Sequence, residues 1–126
     1  MSQYFELGGQ TLWNPSNGVA RMFLRQVAVF ETELGLPSGI GEMRDDECQI
    51  DPAAYAAFVD SLLARHVRTT HAVLIALSEG FVTTVLVLAE RAGIEPGRPD
   101  GGAAGVREEM ARLREASRAL GESMAR

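Results

Sequence analysis

A glutamate and a histidine in the middle of the chain are the residues best suited to proton transfer. Glu79 lies in the most apolar window of the sequence, where a carboxyl group can acquire a raised pKa and act as a general acid or base. His71 precedes Ser78 by seven residues, so on a helix the two side chains share a face close to Glu79. We therefore identify Glu79 and His71 as candidate catalytic residues. The alternative is that Glu79 lies at a bend, where it pairs with an arginine or is exposed.

The sequence offers little for a metal ion or a cofactor. His66 and His71 are the only histidines, and on one helix they would point about 140° apart, which prevents them from sharing an ion. Neither a Glu-x-x-His pair nor a phosphate-binding glycine loop is present. The single cysteine, Cys48, excludes an internal disulfide and is expected to be a quiet thiol. We expect no metal, no cofactor, and a structural or surface role for both histidines.

Most of the negative charge lies in one short segment. The chain has 12 basic residues, all arginine, against 17 acids, which gives a net charge of −5. Residues 42–51 hold five acids and one arginine, a net charge of −4. They overlap a long connection at 35–50 of the kind that is often functional. The spacing of these acids does not match a calcium-binding loop. A solvated loop or a docking site for a basic partner is therefore favoured. The candidate binding residues are Glu42, Asp45, Asp46 and Glu47.

The elements that must position these residues begin with a small β-structure and a helix. Residues 3–13 predict a β-hairpin that turns at Gly8-Gly9. Asn14 and Pro15 are a typical N-cap and first residue, which predicts a helix at 15–34. Because two strands alone are marginal in water, we expect the hairpin to lean on the helices or to pair with another chain.

Apolar residues then recur at helical spacing from Pro52 to Ala92. An unbroken helix would be about 60 Å long, too long for a compact chain of this size. We therefore predict a break near Arg68–His71 and two helices, at 52–67 and 70–92. A single helix, or a hairpin formed by residues 73–77 and 81–88, is the alternative.

The C-terminal part has the composition of a linker followed by a helix. Residues 94–105 are rich in glycine and proline, and residues 106–126 carry a heptad seam. The predicted organisation is a body at 1–93, a flexible linker at 94–105 and an amphipathic helix at 106–126. The fold class is mainly α, with an N-terminal β-hairpin packed on a helical bundle and a tethered C-terminal helix.

Composition also bears on location and partners. Residues 72–89 are apolar enough to suggest a membrane span, but Glu79 at mid-bilayer would cost roughly 2.5–3.5 kcal/mol, so a buried soluble element is favoured. The N-terminus lacks the pattern of a secretory signal, and with the free cysteine this predicts a cytoplasmic protein. The negative charge argues against a nucleic-acid partner. Trp13, at the junction of hairpin and helix, is a further candidate binding residue for a pocket or interface.

Four short motifs support a family resemblance: Leu12-Trp13-Asn14-Pro15-Ser16, Gly35-Leu36-Pro37-Ser38-Gly39-Ile40, Ile50-Asp51-Pro52 and Glu79-Gly80-Phe81-Val82. With them, the chain resembles a family of short uncharacterised actinobacterial proteins over about residues 1–94. The heavy use of Arg, Ala and Gly agrees with a GC-rich genome. The family has no assigned activity, so the resemblance implies no functional residues.

Three functions follow as hypotheses. The first is a non-enzymatic interaction or oligomerisation module, a homodimer or a partner of another protein, because the lone hairpin, the apolar 72–89 segment and the heptad seam are hard to cover within one small chain. The second is a small enzyme or ligand-binding protein that uses Glu79 and His71 on a small organic molecule. The third is an inhibitor or immunity-like protein that docks a basic partner through residues 42–51.

Overall fold

The computed structural model describes residues 1–97 and 104–126 and confirms a mainly α fold with a small N-terminal sheet. Four helices and three strands occur in this part of the chain. The elements are β1 (Tyr4–Leu7), β2 (Gln10–Trp13), α1 (Asn17–Leu34), β3 (Glu47–Gln49), α2 (Pro52–Arg68), α3 (Ala72–Arg91) and α4 (Ala104–Gly121).

The predicted hairpin is present and gains a third strand that the sequence did not reveal. Gly8 and Gly9 both have positive φ, as a tight turn between strands requires. Strand β3 pairs in parallel with β1, which places Phe5 beside Cys48 and gives the strand order β2-β1-β3. The hairpin is therefore supported within the chain.

The predicted break between the second and third helices is confirmed, at Thr69–His71. The alternatives of one long helix and of a hairpin within residues 73–88 are wrong, because α3 is helical throughout Ala72–Arg91. Helix α1 begins at Asn17 rather than at Pro15. Its N-cap is Ser16, whose hydroxyl accepts a hydrogen bond from the Val19 N–H at 3.3 Å.

Aromatic side chains form the centre of the core. Phe81 of α3 stacks on Phe30 with ring centroids 4.4 Å apart and also contacts Phe23, which in turn meets Trp13. The Tyr55 hydroxyl, fully buried, donates to the Val85 carbonyl at 2.7 Å. These contacts join the sheet, α1, α2 and the second half of α3 into one core.

Helix α4 packs against α3 and uses its heptad seam inside the molecule. Met110, Leu113 and Ser117 are buried there, and Met124 is buried beyond the helix end. Arg91 fixes this arrangement, since its guanidinium donates to the carbonyls of three residues on β2 and at the C-terminus: Leu12 at 2.9 Å, Gly121 at 3.0 Å and Met124 at 2.8 Å. The predicted linker at 94–105 falls largely on residues 98–103, which lie outside the described residues.

Candidate functional site

A cluster of polar side chains lies where α2, α3 and α4 meet. It consists of His66 on α2, Glu79 on α3, and Glu109 and Arg112 on α4. Each helix contributes through an ordinary local rule. His66 continues the apolar stripe of α2, whereas Glu109 and Arg112 are one helical turn apart and face the same side of α4.

The imidazole of His66 is the buried centre of this cluster. Its side chain is only 2% exposed, and Nε2 lies 3.9 Å from Oε1 of Glu109. Among the described residues, Nε2 has no hydrogen-bond partner. Burial lowers the pKa of His66 below its ordinary value, although the nearby carboxylates of Glu109 and Glu79 act in the opposite direction. The result is a buried imidazole that is uncharged at neutral pH.

Arg112 bridges the two carboxylates of the cluster. Its Nε donates to Glu109 at 3.1 Å, and its Nη2 donates to both Glu109 and Glu79. The hydrogen bond from Arg112 lowers the pKa of Glu109, and the two carboxylates raise the pKa of Arg112. All three side chains are partly exposed, so the cluster opens to solvent on the side away from His66.

The arrangement brings together atoms that bind protons and cations. The ligand atoms of His66, Glu79 and Glu109 all lie within 4.8 Å of one another, and no other such group of three occurs among residues 1–97 and 104–126. An uncharged imidazole and two carboxylates are ordinary ligands of a divalent metal ion. In the structure their negative charge is balanced by the guanidinium of Arg112.

The predicted pair Glu79 and His71 is not brought together. His71 is exposed and acts as the N-cap of α3, with Nδ1 accepting from the Leu74 N–H at 3.3 Å. Glu79 lies two turns further along the helix. It pairs with Arg112, as the alternative expected, but within a continuous helix and not at a bend. Ser78 donates back to the Leu74 carbonyl at 2.6 Å, as helical serines commonly do.

The histidine that meets Glu79 is instead His66. In the sequence His66 continues the apolar stripe of α2, and this position indicates that its imidazole is buried. Its partners Glu109 and Arg112 could not be assigned, because no local pattern says which helix α4 packs against.

The acidic segment has a structural role at its centre. Asp45 and Asp46 have φ values of 50° and 65° and form a tight turn, closed by paired hydrogen bonds between Arg44 and Glu47. Asp tolerates this left-handed conformation better than most residues. The turn leads directly into β3, while Glu42 forms an exposed ion pair with Arg44. The four predicted binding residues are exposed, and their docking role stays a prediction.

Trp13 is buried and lines a groove of about 430 Å³ between α1, α3 and the C-terminal residues. Its ring packs on Phe5 and Phe23, so most of it belongs to the core. Cys48 is buried in β3, and burial raises the pKa of its thiol to about 11, as expected for a quiet cysteine.

Two helices border that groove with exposed apolar side chains. On α1 four of the exposed positions follow heptad spacing, and on α3 three exposed positions of the first half and the half-buried Thr84 of the second half do the same. We call these eight positions the α1–α3 surface: Val19, Met22, Gln26 and Val29 on α1, and Val73, Leu77, Gly80 and Thr84 on α3.

Helix α3 is also long and apolar enough, by length and composition alone, to cross a membrane. In the structure 44% of its apolar segment is buried within the chain, and the buried part is its second half. The cytoplasmic location and the actinobacterial source stay predictions.

Comparison with known proteins gives the family and no activity. No curated protein and no solved structure matches the chain. A family profile matches residues 1–126, and so includes the C-terminal helix that the resemblance in the sequence left out. The chain therefore belongs to DUF6086, a family of unknown function.

Proposed function

We propose that this protein is a non-enzymatic module that self-associates through the α1–α3 surface. The observation that carries the proposal is the exposure of large apolar side chains there. Leu77 is 74% exposed and Met22 is 66% exposed. Groups of exposed large apolar side chains commonly mark interfaces.

The first argument for a second copy as the occupant is the spacing of the exposed residues. The positions on α1 are three, four and three residues apart, and those on α3 are four, three and four apart. This is the spacing of a seam that packs against another helix. Gly80 adds no side chain, and nothing within 4 Å would meet a Cβ there, so a facing helix can approach closely.

The second argument is charge. None of the eight positions is charged, so two copies can meet there without repulsion although each chain carries a net charge of −5. The next α1 position at this spacing is Glu33, which lies 3.9 Å from the guanidinium of Arg65 on α2 of the same chain.

The two other hypotheses find less support in the geometry. The small-enzyme hypothesis needs His71 beside Glu79, and His71 is committed to capping α3. The acidic-loop hypothesis relies on residues 42–51, where the backbone of Asp45 and Asp46 forms the turn before β3 and the four candidate side chains are exposed. Strand β3 pairs with the hairpin, and α3 covers the heptad seam of α4. Neither feature therefore argues for a second chain.

Size-exclusion chromatography with light scattering tests the proposal. We expect the wild-type chain to have twice the 13.6 kDa mass of one copy, and Leu77→Glu to have the mass of one. The matched control is Ala57→Glu, which adds the same charge at an exposed position on α2, outside the surface, and should leave the dimer intact.

A wild-type chain that stays a monomer at high micromolar concentration would contradict the proposal. Equal dissociation by Leu77→Glu and Ala57→Glu would also contradict it, since the effect would then be one of charge alone. Flotation of the wild-type chain with lipid vesicles, lost in Leu77→Glu, would assign the surface to a membrane instead.

A further inference from the structure

We propose that His66, Glu79 and Glu109 form a binding site for a divalent transition-metal ion such as Zn²⁺, and that the ion displaces Arg112 from the two carboxylates. The site is independent of self-association, because its residues lie outside the α1–α3 surface. It joins α2, α3 and α4 through one ligand each.

The geometry is close to that of a bound ion. Ligand atoms about 2 Å from zinc in a tetrahedral site lie roughly 3.3 Å from one another. The three ligand atoms here lie within 4.8 Å of one another, so small rotations of the carboxylates suffice. Glu79 and Glu109 are partly exposed and can make those rotations, while burial holds the imidazole of His66 in place.

A second observation separates this cluster from an ordinary group of surface acids. The side chain of His66 is only 2% exposed, and its buried Nε2 atom has no hydrogen-bond partner among the described residues. A buried polar atom without a partner is costly to the folded state. A metal ion bound at Nε2 supplies the missing partner.

The ligand types select the class of ion. One imidazole and two carboxylates suit zinc and similar first-row ions, whereas calcium and magnesium favour sites built of oxygen alone. Arg112 is the competing cation. Its side chain is about half exposed, so it can leave to solvent when an ion with twice its charge binds the same carboxylates.

Calorimetric titration of the tag-free full chain with Zn²⁺ tests the proposal. We expect one ion per chain, with affinity weakened about tenfold or more in Glu79→Gln and in Glu109→Gln. The matched control is Glu108→Gln, which removes an exposed carboxylate from the neighbouring position of α4 and should change nothing. Arg112→Gln should tighten binding, because it removes the competing cation. If the cluster has only a structural role, Arg112→Gln should not increase the affinity for Zn²⁺.

Histidine NMR gives a readout that needs no variant to fold. The chain has two histidines, and Zn²⁺ should shift the imidazole signals of one, His66, and leave those of His71 in place. Absence of saturable binding to the wild-type chain would overturn the proposal. So would a shift confined to His71, an unchanged affinity in Glu109→Gln, or a weakened affinity in Arg112→Gln.

Discussion

The two halves of helix α3 have similar apolar composition and opposite surroundings. From Phe81 to Ala89 nearly every side chain is buried, because α1, α2, α4 and β2 surround this half. From Ala72 to Gly80 the same helix exposes Val73, Leu74 and Leu77. Hydropathy thus indicates what a segment would gain from burial, and the neighbouring elements decide how much of that gain the single chain realises.

The largest expected effect contrasts one apolar side chain from each half. Phe81→Ala should lower the free energy of unfolding by about 3–5 kcal/mol, since it leaves a cavity among the rings of Phe23, Phe30 and Phe58. Leu77→Ala, at a concentration where the chain is monomeric, should change it by less than about 0.5 kcal/mol. Urea denaturation measures both. A similar loss in the two variants would show that the first half of α3 is covered within one chain.

The hydrogen bonds of Arg91, at the end of the buried half of α3, give the next-largest expected effect on stability. Arg91→Met keeps the aliphatic stem but removes the hydrogen bonds to the carbonyls of Leu12, Gly121 and Met124, which should cost about 2–3 kcal/mol. Arg118→Met is the control, because the ion pair of Arg118 with Glu115 is exposed to solvent. Equal stabilities of the two variants in thermal melts would contradict the role of Arg91 as the clamp of the C-terminal segment.

Folding stability is expected to depend on pH through His66, which lies close to Glu79 at the boundary between the two halves of α3. Its pKa is lowered from 6.5 by burial, so on acidification the unfolded chain takes up a proton before the folded chain does. Stability should therefore fall as the pH drops through and below 6.5. Glu109, whose pKa is lowered from 4.5, loses its contribution only at more acidic pH.

Urea melts between pH 7.5 and 5.5 isolate this contribution. His66→Gln should flatten the dependence in that range, because it removes the buried imidazole whose pKa is lowered. A dependence that survives in His66→Gln would assign the titration to another group.

Much of the fold could be predicted from local chemistry. The hairpin turn at Gly8-Gly9 and the helix end at Gly35 follow from turn and capping rules, and the break before His71 follows from the excessive length of an unbroken helix. Strand β3 was missed because three residues beside a tight turn carry too little periodicity, and its partner β1 lies some forty residues earlier in the chain. Parallel pairing at that distance leaves no local signal.

The candidate site was predictable only in part. The sequence indicated Glu79 as unusual and allowed its pairing with an arginine, which the structure shows to be Arg112. It paired Glu79 with His71 instead of His66, because proximity along one helix is readable in a sequence and packing between helices is not. The contact depends on how α4 packs against α3, which is a property of the tertiary structure.

Sedimentation equilibrium over a dilution series tests most directly the claim that the exposed half of α3 is an interface between copies. The account predicts that the wild-type chain dissociates reversibly from a dimer. It also predicts that Met22→Glu on α1 and Leu77→Glu on α3 are each monomeric at every concentration while retaining wild-type helicity. A wild-type chain that is monomeric throughout, or a dimer that neither substitution weakens, would contradict it.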